Sequence, residues 1–255
     1  MDSLTKEITL LKKEYWFILI AYIVMQLSSL IGVPLVAFIG TLMGYTLTEM
    51  EIISVPYWLV ISFSMTLVIV LLLLKKEAQP SVNFRQAASP ARSFIWAFFG
   101  VFLALFAQGL AANIESNLGI DMGSENTEQI INLIEKFPII ILISSVIGPI
   151  LEEIVFRKVI FGSLYKRFNF FLSAMMSSVI FALAHFEPEH VILYSAMGFT
   201  FAFLYVKTKR IIVPILAHVA MNTFVVLVQS VFREDLERMI KEAEQIQSFI
   251  GGFFL

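Results

Sequence analysis

The sequence predicts an all-α polytopic membrane protein, a transmembrane helical bundle of about seven to eight spans. Three observations predict it. Of 255 residues, 58% are hydrophobic and only 15% charged, against about half and about a quarter in a soluble domain. A soluble core of this size cannot hide so much apolar surface, so the remainder must face lipid. The apolar residues also fall into runs near the roughly 20 that a helix needs to cross the hydrocarbon layer.

The runs follow in order. The first covers 15–40, with Gly32 and Pro34 as candidate kinks that a membrane helix tolerates. The second covers 55–74 and is stopped by Lys75, Lys76 and Glu77. A polar linker, 78–92, leads to the third run, 93–112. The longest polar segment, 113–136, carries more acids than bases and is read as a loop. The fourth run covers 138–164, the fifth 170–185, the sixth 191–206 and the seventh 211–232. The fifth and sixth are short for a full crossing, which implies tilt or partial embedding. The tail, 233–255, is charged and amphipathic up to Ile250 and is expected to lie on a membrane surface. A further embedded segment at 249–255 would add an eighth span. The chain therefore divides into N-terminal helices with a loop (1–137), a helical core (138–232) and the tail (233–255).

Charge placement sets the expected orientation. Lys6, Lys12 and Lys13, then Lys75, Lys76, Arg85 and Arg92, then Lys158, Lys166 and Arg167, then Lys207, Lys209 and Arg210 fall on one side if the runs alternate. The positive-inside rule makes that side, and the N-terminus, cytoplasmic. The first 14 residues are charged and lack the pattern of a cleavable signal peptide, so the first run is expected to act as its own insertion signal. A net charge of −2 points away from nucleic acid. With no cysteine, disulfides, thiol catalysis and cysteine metal sites are excluded. The expected partners are the lipid bilayer and whatever the polar groups within the spans act on.

Ionisable groups inside a span cost about 2.5–3.5 kcal/mol each and are functional candidates by default. Three clusters qualify. Glu152, Glu153 and Arg157 follow Gly148 and Pro149, where the helix is expected to break or restart. Glu153 and Arg157 are four apart and share a face, while Glu152 points about 100° away. His185 ends the fifth run, and His190, Glu187 and Glu189 beyond it read as a solvated loop. His218 and Asn222 share one face of the seventh run and need partners from the bundle. Each cluster alone also fits plain packing: a structural ion pair, an interfacial histidine, polar glue between helices. Together they supply a carboxylate, two imidazoles and an amide from three helices, a full set for hydrolysis. Two other readings use the same groups, a non-catalytic scaffold or regulator and a small proton-coupled transporter. The crowding of polar groups into one half, without repeated halves, counts against transport.

In order, EExxxR (Glu152, Glu153, Arg157), FxxxH (Phe181, His185) and HxxxN (His218, Asn222) resemble the CPBP family of CAAX proteases and bacteriocin-processing enzymes, also called Abi. The Ras-converting prenyl-protein endopeptidase is a eukaryotic member. The resemblance implies an intramembrane endopeptidase in which Glu152 and His185 activate water and His218 and Asn222 stabilise the oxyanion. Glu153 and Arg157 would then set the position of Glu152. The family is often labelled metalloprotease. A zinc ion held by Glu152, His185 and His218 and a metal-free glutamate mechanism both fit these residues. Small size and short loops suggest a bacterial cell-membrane protein with a membrane-associated peptide or protein as substrate.

Overall fold

The structure, a computed structural model, describes residues 12–76, 87–121, 123–232 and 238. The tail, most of the linker before the third run and residues 1–11 lie outside them, so the expectations for an amphipathic tail and an eighth span fall there. Eight helices, and no strand among the described residues, build the fold. Five of the eight are long and apolar enough to cross a membrane.

Helices α1 (Lys13–Leu42) and α2 (Leu47–Lys75) form an antiparallel hairpin. Helix α2 starts eight residues before the expected span because Thr46 and Glu49 form a reciprocal cap, with Thr46 N–H donating to Glu49 Oε2 at 2.7 Å. Helix α1 runs unbroken through Gly32 and Pro34. Gly32 serves close packing: a Cβ there would sit 1.9 Å from Trp58 Cε2, and Trp58 Nε1 donates to Ser28 Oγ at 3.0 Å. The outer faces of α1, α2 and α3 (Pro90–Asn117) expose rows of large apolar side chains, Leu30, Ile31 and Phe106 among them. Such surface is stable against lipid tails and unstable in water.

The segment read as a loop contains α4 (Glu125–Lys136), a short amphipathic helix. Its Ile131 and Ile134 pack on Ile140 and Val226. The fourth run is α5, a continuous helical path from Ile140 to Leu164 made of five pieces. Two of them are π-helical, Ile143–Ile147 and Glu153–Phe161. The expected break at Gly148 and Pro149 does not occur. Those residues open an α-helical turn, Gly148–Glu152, and the wide π turns on either side absorb the strain.

Helix α6 (Phe170–Leu183) has 14 residues, about 21 Å at 1.5 Å each, shorter than the hydrocarbon layer. A 3-10 turn, Pro188–His190, leads into α7 (Val191–Thr208), and α8 (Ile212–Val231) closes the bundle. Helix α7 is the central post, packed on α3, α6 and α8. Gly198 allows its closest approach to α6: a Cβ would meet Ser178 Cβ and Oγ at 2.8 Å. Small residues at such crossings are how membrane helices gain packing energy. The start of α3 is tied to the end of α7, where Ala88 N–H donates to the Thr208 carbonyl at 2.9 Å and Arg210 Nε donates to the Ala88 carbonyl at 2.5 Å.

Candidate active site

Four helices place the polar groups. Helix α5 carries Glu152, Glu153 and Arg157, α6 carries Phe181 with His185 just beyond its end, α7 carries Phe201 and Tyr194, and α8 carries His218 and Asn222. His218 is the hub. Its Nδ1 lies 2.9 Å from Glu153 Oε1. A carboxylate only accepts, so Nδ1 bears the proton and Nε2 faces the other way. That Nε2 lies 3.8 Å from Glu152 Oε2. The imidazole stacks on Phe201, with centroids 4.6 Å apart.

Glu153 and Arg157 share the expected face and pair at 3.2 Å, both at 0% exposure. The pair is ionic in character. Glu153 Oε2 and the three guanidinium nitrogens have no well-aligned hydrogen-bond partner among the described residues. The guanidinium instead lies over the Phe181 and Phe201 rings, 4.4 and 5.5 Å from their centroids. The shortest side-chain contact of Glu153 goes to His218. Glu152 keeps 20% of its side chain accessible. One carboxylate is therefore locked and its neighbour is open. Asn222, one turn beyond His218, reaches the Ser144 carbonyl at 3.5 Å, within the first π run of α5.

His185 is joined to the hub through Phe181 rather than directly. The Phe181 ring lies 4.6 Å from His185 and 6.2 Å from His218. His185 Nδ1 donates to the Phe181 carbonyl at 2.8 Å, since a carbonyl can only accept, and Nε2 carries the lone pair. This geometry corrects the zinc ligand set suggested for Glu152, His185 and His218. Among the described residues, no three histidine, aspartate or glutamate side chains converge as a metal site. The Phe181 ring packs against both imidazoles; without a converging cluster the donor set does not fit a bound ion, and the metalloprotease label has no support.

The solvated-loop reading of Glu187 and His190 is also corrected. Both are buried, at 6% and 7% exposure, whereas Glu189 is exposed. His190 Nδ1 and the Leu193 N–H each reach Glu115 at 2.9 Å, so a carboxylate from the end of α3 caps α7. Glu187 accepts from Ser124 Oγ at 2.8 Å, the Asn126 N–H at 2.8 Å and Tyr194 Oη at 2.5 Å. It thereby caps α4 from a position 61 residues away in sequence. Burial pushes the Glu187 carboxyl up, but the Asn126, Tyr194 and Ser124 donors outweigh it and hold it below the usual carboxylate range. Sequence reasoning missed Tyr194, Ser124 and Glu115. The pairing of acids and a histidine at neighbouring span ends was the available signal.

A family model for the type II CAAX prenyl endopeptidase, Rce1-like, matches residues 134–224, which include Glu152, Glu153, Arg157, His185, His218 and Asn222 but not Glu115, Ser124 or Asn126. The chain is 48% identical over 247 residues to membrane peptidase YdiL of Bacillus subtilis (strain 168), covering 96% of this chain and all of that protein. It is 34% identical over 235 residues to the membrane-embedded CAAX protease MroQ of Staphylococcus aureus (strain USA300), covering 89% of this chain and 93% of that one. No solved structure matches the chain.

Proposed function

The chain belongs to the Rce1-like CAAX endopeptidase family, and on that premise we propose that it hydrolyses a peptide bond of a membrane-associated peptide or protein, using water activated by Glu152. The observation that carries the reading is the open carboxylate of Glu152 beside His218 Nε2, with Glu153 locked behind the imidazole. Residues 138–232 are the catalytic unit, and α1 and α2 form the wall beside it. By the positive-inside rule, the helix ends that carry Lys13, Lys75, Arg167 and Lys207 face the cytoplasm of a bacterial cell.

In this mechanism a water sits between Glu152 and His185 Nε2. Glu152 takes its proton as the oxygen attacks the substrate carbonyl carbon. Donation from Nε2 to an oxyanion calls for both imidazole nitrogens of His218 to carry a proton, with the Glu153 and Glu152 carboxylates on either side of the ring. Glu153 supports that state by accepting from Nδ1. His218 Nε2–H and the Asn222 amide then donate to the oxyanion as it forms. Collapse breaks the C–N bond. The proton held by Glu152 passes to the leaving nitrogen, giving a carboxylic acid and an amine, and the acid then gives its proton to solvent.

Peptides released from membranes holding the native protein, compared by mass spectrometry with membranes holding Glu152→Gln at equal levels, test this reading. Peptides found only with the native protein support it and give the cleavage site. Identical sets with both proteins folded would replace it with a non-catalytic scaffold.

A further inference from the structure

The proposed reaction needs His185 Nε2 aimed at a water, yet His185 lies beyond the end of α6, where its own helix holds it weakly. One hydrogen bond, Nδ1 to the Phe181 carbonyl, fixes one edge of the ring. A single bond leaves the imidazole free to swing about it. The structure provides a second constraint from another helix. The Tyr194 ring lies flat against His185, with centroids 4.0 Å apart and planes at 25°. The Phe181 ring also packs against His185, with centroids 4.6 Å apart and planes at 70°. The imidazole is clamped by a bond and two rings, and Nε2 is the atom left open.

Packing alone would be met by phenylalanine at 194. The phenol instead donates to Glu187, and Ser124 Oγ lies 3.3 Å from the same oxygen. Burying a carboxylate and a phenol is costly unless both are bonded, and here both are. The backbone is bent to allow it. Phe186, between His185 and Glu187, has φ +59° although it is not glycine, a conformation that L side chains rarely adopt. Its own side chain is exposed and gains nothing from the bend. What the bend achieves is to turn His185 toward Tyr194 and Glu187 toward the Tyr194 hydroxyl.

We propose that Tyr194, anchored by Glu187, is a positioning residue that holds the plane of His185 for catalysis. The inference rests on the reading of His185 as part of the hydrolytic site. Glu187 also takes the Asn126 N–H, so the entry of α4 belongs to the same support.

The test uses the full-length protein in nanodiscs with 15N-labelled histidine. The chain has three histidines, so their ring resonances can be assigned one by one. Native His185 is expected to show a single tautomer protonated at Nδ1. Tyr194→Leu removes ring and anchor together. It is expected to broaden or mix the His185 signal, leave the His218 signal unchanged and lower kcat about 30-fold with KM within about threefold, since displacement of a catalytic group by about 1 Å costs on that order. Tyr194→Phe keeps the stack and loses the anchor. It folds even where the leucine variant does not, and is expected to lower kcat about threefold to tenfold with a smaller change in the His185 signal. An unchanged His185 ring in either folded variant overturns the proposal, as does native kcat in Tyr194→Leu. The ring signal does not depend on turnover. If native membranes release no Glu152-dependent peptide, the protease reading fails while the spectrum still decides whether Tyr194 positions His185.

Discussion

Replacing Arg157 by methionine tests how the site is held. The side chain is at 0% exposure and 3.2 Å from an equally buried Glu153. At that distance Coulomb attraction is about 5 kcal/mol for an effective dielectric of about 20. Desolvation offsets much of it, so the intact pair adds little net stability. Breaking it is different. Arg157→Met keeps the apolar stem but leaves the Glu153 charge buried beside Glu152, with only His218 to balance both. The expected loss is about 3–5 kcal/mol, plus about 0.5–2 kcal/mol for each lost contact with the Phe181 and Phe201 rings. Glu153→Gln together with Arg157→Met removes both charges while the glutamine carbonyl still accepts from His218 Nδ1. That double variant is expected to recover about 2–3 kcal/mol of the single loss. Equilibrium unfolding in mixed micelles, run as a double-mutant cycle, measures this directly. A loss below about 1 kcal/mol for Arg157→Met, or a coupling under about 0.5 kcal/mol, would refute the reasoning.

Other outcomes follow from the same structure. Gly198→Ala drives a methyl into Ser178 at 2.8 Å and is expected to cost about 1–3 kcal/mol. Adding Ser178→Gly should restore part of it, and a native unfolding midpoint for Gly198→Ala would contradict the close approach of α6 and α7. The depressed Glu187 carboxyl gives a pH dependence whose sign is fixed. Its stabilisation is fully present above the unfolded glutamate value of about 4.3 and is lost as pH falls through the lower folded value. Intrinsic-rate-corrected hydrogen exchange at Asn126 and Thr127 should therefore stay slow from pH 8 to 5 and quicken below about pH 4. Loss of protection already at pH 6 would contradict it.

The spans were legible because lipid imposes long apolar runs that no soluble packing requires. The i,i+4 pairing of Glu153 with Arg157 was legible for the same local reason. Helix ends were read short where caps extend them, as at Thr46 and Glu49. Helix α4 lies inside the longest polar segment, where the apolar period of Ile130, Ile131, Leu133 and Ile134 is short and flanked by acids, so its helical character is hard to read from sequence. The π turns of α5 depend on how neighbouring helices press on it and leave no mark in one sequence. Glu187 and His190 were read as solvated because their local context is polar. Their burial comes from Ser124 and Glu115, 63 and 75 residues away, and contacts at that range lie beyond any local pattern.

The central claim is that the open carboxylate of Glu152, beside His218, activates water to cut a membrane-associated peptide. The most direct test reconstitutes purified protein in liposomes with a substrate found by the membrane peptide comparison, in water enriched in 18O. The account predicts that the native protein yields a product with one 18O in its new C-terminal carboxylate, and that Glu152→Gln, folded to the same extent, yields about 100-fold less or none. Cleavage by Glu152→Gln at the native rate would contradict it.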